Sequence, residues 1–315
     1  MLIFYCKKNV FTFNCLCDII KLQIFLGGEA MIRTGYSEIE VGTDRQGKFY
    51  EMKNAHVHPV YEIYYLVSGT RKFFIESDIY NISKGTLVLI NKNVMHQTAY
   101  SSDMLNERTY ILFDDMHISY LLEKYGRKEI DECLEQKIFP IPIQRREYVE
   151  GVISQLYNEY KNKDEFSERL MECYLNELMI FLIRYKRHIS EGNNGIDVLK
   201  NTDRLSSCDE SIQTAAKYIM DNYNKNLTLP QVAYKVNMSS TYFSKKFKEV
   251  TGFGFKEYLL NLRIQKACEL LLETRLSVTE IAYKIGFNDS NYFGDVFKKS
   301  RGISPLKYRK NREFV

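Results

Sequence analysis

At 315 residues the chain is about twice the ~150 residues of an ordinary single domain, so two or three folded units are expected and small-scaffold architectures are excluded. Hydrophobic residues at 45%, charged residues at 27%, five prolines and sixteen glycines exclude a fibrous or largely disordered chain, and seven scattered cysteines exclude a disulfide framework or zinc knuckle and suit a reducing cytosol. The formal net charge is only +4, but from Asp209 onward there are 18 Lys and Arg against 11 Asp and Glu, which makes the C-terminal third the candidate polyanion binder.

The first thirty residues are apolar, yet Lys7, Lys8, Asp18 and Lys21 interrupt every run well before the ~18–20 residues of a membrane span. Gly27-Gly28-Glu29, encoded as GGN-GGN-GAR, would resemble a bacterial ribosome-binding site just ahead of Met31, so residues 1–30 are expected to be a non-native or disordered extension. From Glu38 to Phe113 short alternating runs are separated by turn signals. Tyr61–Ser68 sets Ile63, Tyr65 and Val67 against Glu62, Tyr64 and Leu66; Gly69 turns the chain into Arg71–Glu76; Ser83-Lys84-Gly85 introduces Thr86–Ile90; Arg108–Phe113 is a further run. These predict a small β-sandwich or barrel within residues 31–140.

Between Arg145 and His188 the period becomes helical. Val149, Val152, Ile153, Leu156 and Tyr160 form one stripe, and Leu170, Tyr174, Leu178, Phe181 and Tyr185 another. A lone hairpin cannot bury both, so residues 141–189 are expected to pack partly on the barrel and partly on a second subunit. Gly192-Asn193-Asn194-Gly195 marks a linker over 190–208.

The C-terminal region, 209–311, contains an internal repeat: LTLPQVAYKVNMSSTYFSKKFKEVTG from Leu227 and LSVTEIAYKIGFNDSNYFGDVFKKSRG from Leu276. Each copy opens with a capping box, Thr228 with Gln231 and Ser277 with Glu280, which fixes the start of a helix. That helix ends at Asn237 or Gly286, residue types that tolerate the left-handed backbone of a tight turn. A second helix follows with an i, i+4 phenylalanine pair, Phe243/Phe247 or Phe293/Phe297, pointing inward. The pattern is a helix-turn-helix, twice, joined by a continuous helix over Phe255–Glu273 that is roughly 28 Å long at ~1.5 Å per residue.

These motifs, with the segment LRIQKACELLLE and the closing GISPLKYRK in which Ser304 caps and Pro305 starts a last helix, resemble the DNA-binding domain of AraC/XylS-family transcription regulators. The order of elements is similar throughout Met31–Lys310. The resemblance implies an α+β multidomain protein: an N-terminal cupin-like effector barrel, a helical dimerisation segment and an all-α tandem helix-turn-helix domain. It further implies a cytoplasmic, homodimeric, non-enzymatic regulator that binds operator DNA and a small effector, with RNA polymerase as partner if it activates. By the same resemblance, base contacts fall to Thr241, Ser244, Lys245, Ser290, Asn291 and Asp295. Lys246, Lys248, Lys256, Lys298, Lys299, Lys307 and Arg309 are assigned to phosphates or solvation. Gly294-Asp295 departs from the family's usual Ser followed by a basic residue; Asp295 either accepts from a cytosine amino group or weakens contact by this half.

A second pattern lies in the barrel: His56-Val57-His58, then Glu62, with His96 further on, a spacing that resembles cupin metal-binding motifs. The flanking matches are imperfect, since Tyr50, Asn91 and Asn93 stand where Gly, Pro and Gly are usual. The expected ligand is therefore a small polar organic effector, a sugar by family analogy, bound without a cofactor in a pocket formed by His56, His58, Tyr61, Glu62, Tyr64, Tyr65 and His96. The alternative is a divalent metal held by His56, His58, Glu62 and His96, making the protein a metal-binding cupin enzyme or metal sensor fused to a DNA-binding domain. His117 and His188 read as ordinary surface or core residues.

Overall fold

The computed structural model describes residues 5–6, 9–10, 38–46, 57–100, 106–190 and 206–310. Strands β1 (Tyr5–Cys6) and β2 (Asn9–Val10) pair antiparallel; the rest of the expected extension over 1–30, and most of the expected linker, lie outside the described residues.

Eight further strands follow: β3 (Glu40–Gln46), β4 (Tyr61–Ser68), β5 (Thr70–Ile75), β6 (Asp78–Ser83), β7 (Thr86–Ile90), β8 (His96–Tyr100), β9 (Asn106–Phe113) and β10 (Ile138–Pro140). They form a five-stranded sheet in the order β10-β7-β4-β9-β3 and a three-stranded sheet in the order β6-β5-β8, every pair antiparallel. Gly69 at φ 88° and Gly85 at φ 83° supply the left-handed backbone at the turns before β5 and β7. On β4, Tyr64 and Leu66 enter a core with Phe73 and Ile75 of the smaller sheet, while Tyr61, Ile63 and Tyr65 enter another with the helices described next. Burial on both faces is why this strand is apolar almost throughout rather than cleanly alternating.

After β9 the chain makes a 3-10 turn (Asp115–Ile118), α1 (Ser119–Tyr125) and α2 (Arg127–Glu135), then the long pair α3 (Ile143–Lys161) and α4 (Ser167–Ser190). On α3 the predicted stripe is buried at Val149, Val152, Ile153 and Leu156. On α4 the buried line runs through Met171, Leu175, Leu178, Met179 and Leu182, so only Leu178 of the predicted stripe lies fully inside. Apolar residues ring most of this helix, so periodicity alone chose the neighbouring face. Tyr185 stays at the edge, where its hydroxyl donates to the Pro140 carbonyl at 2.6 Å.

The C-terminal region is helical: α5 (Ser207–Asp221), α6 (Leu229–Lys235), α7 (Ser240–Thr251), α8 (Phe255–Glu273), α9 (Val278–Lys284), α10 (Ser290–Arg301) and α11 (Pro305–Lys310). Both capping boxes form, with Gln231 accepting from the Thr228 N–H at 3.0 Å and Glu280 from the Ser277 N–H at 2.7 Å. The turns place Asn237 at φ 55° and Gly286 at φ 94°. Helix α8 contributes Tyr258 and Leu262 to one core with the first motif, and Ile264 and Leu271 to another with the second. No helix among the described residues is long and apolar enough to cross a membrane.

Candidate functional site

Each motif's second helix begins on its own cap. Ser239 Oγ accepts from the Tyr242 N–H at 3.3 Å, and Asp289 Oδ1 accepts from the Asn291 N–H at 2.7 Å. Phe243 and Phe247 on α7, and Phe293 and Phe297 on α10, are fully buried, which turns Thr241, Ser244, Lys245, Asn291 and Asp295 outward, with Ser290 half-buried at the helix start. A groove brings the motifs together: Thr228 and Ser244 of the first and Asn288 and Tyr292 of the second line it, with Lys256 at the start of α8.

Lys248, Lys256, Lys298, Lys299 and Lys307 are exposed as well. Two other basic residues assigned to phosphate are occupied within the fold. Lys246 Nζ donates to Glu249 at 2.6 Å. Arg309 donates to the carbonyls of Leu271 at 3.3 Å and Leu276 at 2.5 Å, so its guanidinium ties α11 to the end of α8 rather than projecting toward a ligand. Sequence reasoning passed over two exposed tyrosine pairs, Tyr234 with Tyr283 and Tyr242 with Tyr292, although each pair holds equivalent positions in the two copies. Their signal was an aromatic retained in both repeats off the core period.

In the N-terminal domain the structure brings together His58, Glu62 and His96. His58 Nε2 lies 2.9 Å and His96 Nε2 3.2 Å from the same oxygen, Glu62 Oε2. Burial alone would raise the Glu62 carboxyl, but the hydrogen bonds from His58 and His96 hold it well below the usual carboxylate range. Tyr64 shares this side of β4 and stacks edge-on with Phe73 at 4.7 Å, with Arg108 over its ring at 5.5 Å. His56 lies outside the described residues.

Tyr61 and Tyr65 do not join this cluster, a correction to the pocket expected from sequence. Strand parity sends them to the opposite face of β4, where Tyr61 donates to Asp115 at 2.7 Å and Tyr65 to Glu150 at 2.7 Å. Around Tyr61 sits an unforeseen hub: Arg127 reaches Asp115 Oδ1 at 2.9 Å and Lys92 reaches its Oδ2 at 2.7 Å. His117 is buried and accepts from the Asp114 N–H at 3.1 Å, a capping role.

The smaller sheet also contacts the helical region directly. Phe74, Ile79 and Met95 share a core with Ile212, Phe247 and Tyr258. Around it, Lys72 pairs with Asp209 at 2.6 Å, Gln213 donates to Asp78 at 3.1 Å, and the Tyr258 hydroxyl donates to the Glu76 carbonyl at 2.6 Å.

Residues 41–179 match a model of the AraC-like ligand binding domain and residues 232–311 a model of a helix-turn-helix domain. The Msm operon regulatory protein of Streptococcus mutans is 26% identical over 262 residues, covering 79% of this chain and 84% of that protein. The transcriptional activator RhaR of Mannheimia succiniciproducens is 24% identical over 254 residues, covering 81% and 86%. An uncharacterized HTH-type transcriptional regulator in the cgkA 5' region of Pseudoalteromonas carrageenovora is 38% identical over 107 residues, covering 34% of this chain and 62% of that protein. With its ligand-binding and helix-turn-helix regions both matched, and with relatives that are regulators rather than enzymes, the chain belongs to the AraC family of DNA-binding transcription regulators.

Proposed function

We propose that the chain acts in the cytoplasm as a homodimer that reads its operator through α7 and α10 and responds to a small polar effector in the N-terminal domain. The observation that carries this is the groove shared by the two motifs, which puts polar side chains of both on one accessible surface. On this reading Thr241, Ser244 and Lys245, with Ser290, Asn291 and Asp295, meet base edges. Lys248, Lys256, Lys298, Lys299 and Lys307 meet phosphates, and the exposed tyrosine pairs add hydroxyl donors for the backbone. Support for a polar effector is the domain interior, where Arg71, Arg108, Tyr64 and the His/Glu cluster are largely buried, polar groups of the kind that bind the hydroxyl or carboxylate oxygens of a sugar or similar metabolite. Ile143, Tyr148, Phe166 and Leu170, exposed on and beside α3 and α4, support the dimer. If it activates, the dimer contacts RNA polymerase.

The test is a pair of substitutions read on operator and random DNA. Lys245→Ala should weaken operator binding by about 1–3 kcal/mol and relax preference at one base pair, whereas Lys248→Ala should weaken all sequences alike and reduce the salt slope by about one. Equal loss on both DNAs for Lys245→Ala would remove it from base reading.

A further inference from the structure

We propose that His58, Glu62 and His96 form a binding site for a divalent first-row transition-metal ion inside the N-terminal domain. Two segments supply the three residues: His58 lies just ahead of β4 and Glu62 is on β4 in the five-stranded sheet, while His96 opens β8 in the three-stranded sheet. The site therefore joins the two sheets. Its three ligand atoms lie within 4.8 Å of one another, and the two imidazole rings meet edge to face at 5.0 Å.

The orientation of the rings is the strongest observation. His58 Nδ1 lies 2.9 Å from the Val60 carbonyl and His96 Nδ1 lies 3.0 Å from the Val94 carbonyl. A carbonyl oxygen can only accept, so each Nδ1–H donates to its carbonyl and each Nε2 is turned toward Glu62 Oε2, where the proton of that hydrogen bond would give way to an ion. Metal-ligating histidines are held in this way, with one ring nitrogen anchored to a carbonyl and the other left to coordinate. The same fixing of the tautomer at two histidines, aimed at one carboxylate oxygen, goes beyond what packing of a buried imidazole requires.

The spacing suits an ion. Adjacent ligands of an octahedral ion with bonds of ~2.1 Å are about 3.0 Å apart, and those of a tetrahedral zinc about 3.4 Å. The observed 2.9 and 3.2 Å separations between nitrogen and oxygen each lie within a few tenths of an ångström of these values, and all three ligand atoms fall within 4.8 Å of one another. Two imidazoles with one carboxylate favour zinc, iron, nickel or manganese over calcium, which prefers oxygen ligands alone. Three protein ligands leave positions open for a further donor, such as an oxygen of a polar effector. His96 and Glu62 side chains are 2% and 9% exposed and that of His58 16%, which orients the open side toward His58.

Each histidine directly follows a residue of the core shared with the DNA-binding helices. Val57 and Met95 both pack in that core, beside Phe74, Phe247 and Tyr258. An ion that tightens His58 and His96 onto Glu62 therefore pulls on two points of the seam between the sensing and DNA-binding regions.

The full chain without an affinity tag, stripped with a chelator, is titrated with cobalt(II) and zinc(II). One ion per chain should bind with a micromolar or tighter Kd, cobalt should give visible d–d bands that zinc abolishes, and the melting temperature should rise on loading. His96→Gln and Glu62→Gln should each weaken binding at least tenfold with the far-ultraviolet circular dichroism unchanged. X-ray absorption at the zinc edge of the unsubstituted protein should show at least two imidazoles, a measurement that needs no variant to fold. Absence of stoichiometric binding, a zinc shell without imidazole, or binding that survives both substitutions would overturn the proposal.

Discussion

The Tyr258 hydroxyl is a single oxygen on which the seam between sheet and helices can be tested. It donates to the Glu76 carbonyl at 2.6 Å, while its ring stands edge-on to Phe247 at 5.2 Å and beside Phe74 at 6.0 Å. Tyr258→Phe removes the donor and keeps the ring, so the cost is that of a partly buried carbonyl losing its partner, about 1–3 kcal/mol. That is a factor of about 5–150 in the equilibrium between docked and parted sheet and helix. Hydrogen exchange of the full chain reads it directly: amides of residues 72–80 and of α8 should lose protection by that factor, while the second-motif core from Ile281 to Phe297 keeps its own. Because the chain has no tryptophan, global stability is followed separately by circular dichroism. Unchanged protection at 72–80, or an equal loss at every segment, would refute the assignment of this bond to the seam.

At Asp295, exposed on α10, Ala substitution separates two outcomes in an operator library. Broadened preference at one base pair with no gain in affinity means it accepts from cytosine; a rise for every sequence means it repels phosphate. A Cβ on Gly286, whose φ is +94°, would lie 2.7 Å from the Asn224 carbonyl oxygen, so Gly286→Ala should cost about 2–4 kcal/mol in urea unfolding. By contrast Gly294 has nothing within 4 Å of a Cβ, and Gly294→Ala should stabilise α10 by about 0.5–1 kcal/mol. A neutral Gly286 variant would mean that the turn relaxes to another conformation.

Legibility in this chain follows the range of the interactions. The capping boxes, Asn237 and the phenylalanine pairs are local devices, set within a few residues of the element they define, and the repeat displayed each twice. Strand β4 was bounded by its own turn glycine, and its parity already separated Glu62 and Tyr64 from Tyr61 and Tyr65, although the expected pocket merged the two faces. Strand β8, His-Gln-Thr-Ala-Tyr, has no apolar alternation and is held in place by its pairing with β5. Asp115, Arg127 and Lys92 meet Tyr61 only through tertiary structure, as Lys72 meets Asp209, so no window of sequence contains either contact. Arg309 looked like one more basic residue on a basic helix; only the proximity of two carbonyls shows that it is structural.

The Asp115 hub carries a pH signature whose sign follows from its partners. Burial would raise this carboxyl, but hydrogen bonds from Arg127, Lys92 and Tyr61 outweigh it and hold the group at about 2, against 3.8 for a free side chain. The folded value lies below the unfolded one, so the stabilisation is fully present above about pH 4 and is lost as pH falls toward 2. At 1.36 kcal/mol per pKa unit the shift is worth about 2.4 kcal/mol, and screening at the half-exposed Arg127 trims it to about 1–2 kcal/mol. Asp115→Asn should therefore unfold about 1–2 kcal/mol more easily at pH 7, and the gap from the parent should close by pH 2, where Asp115 is half or more protonated. A gap that persists undiminished at pH 2 would show that the loss came from packing. Since Tyr61 is the chain neighbour of Glu62 on β4, the same variant should also loosen that strand at the proposed metal site, and cobalt affinity at pH 7, where the imidazoles are free to coordinate, would register it.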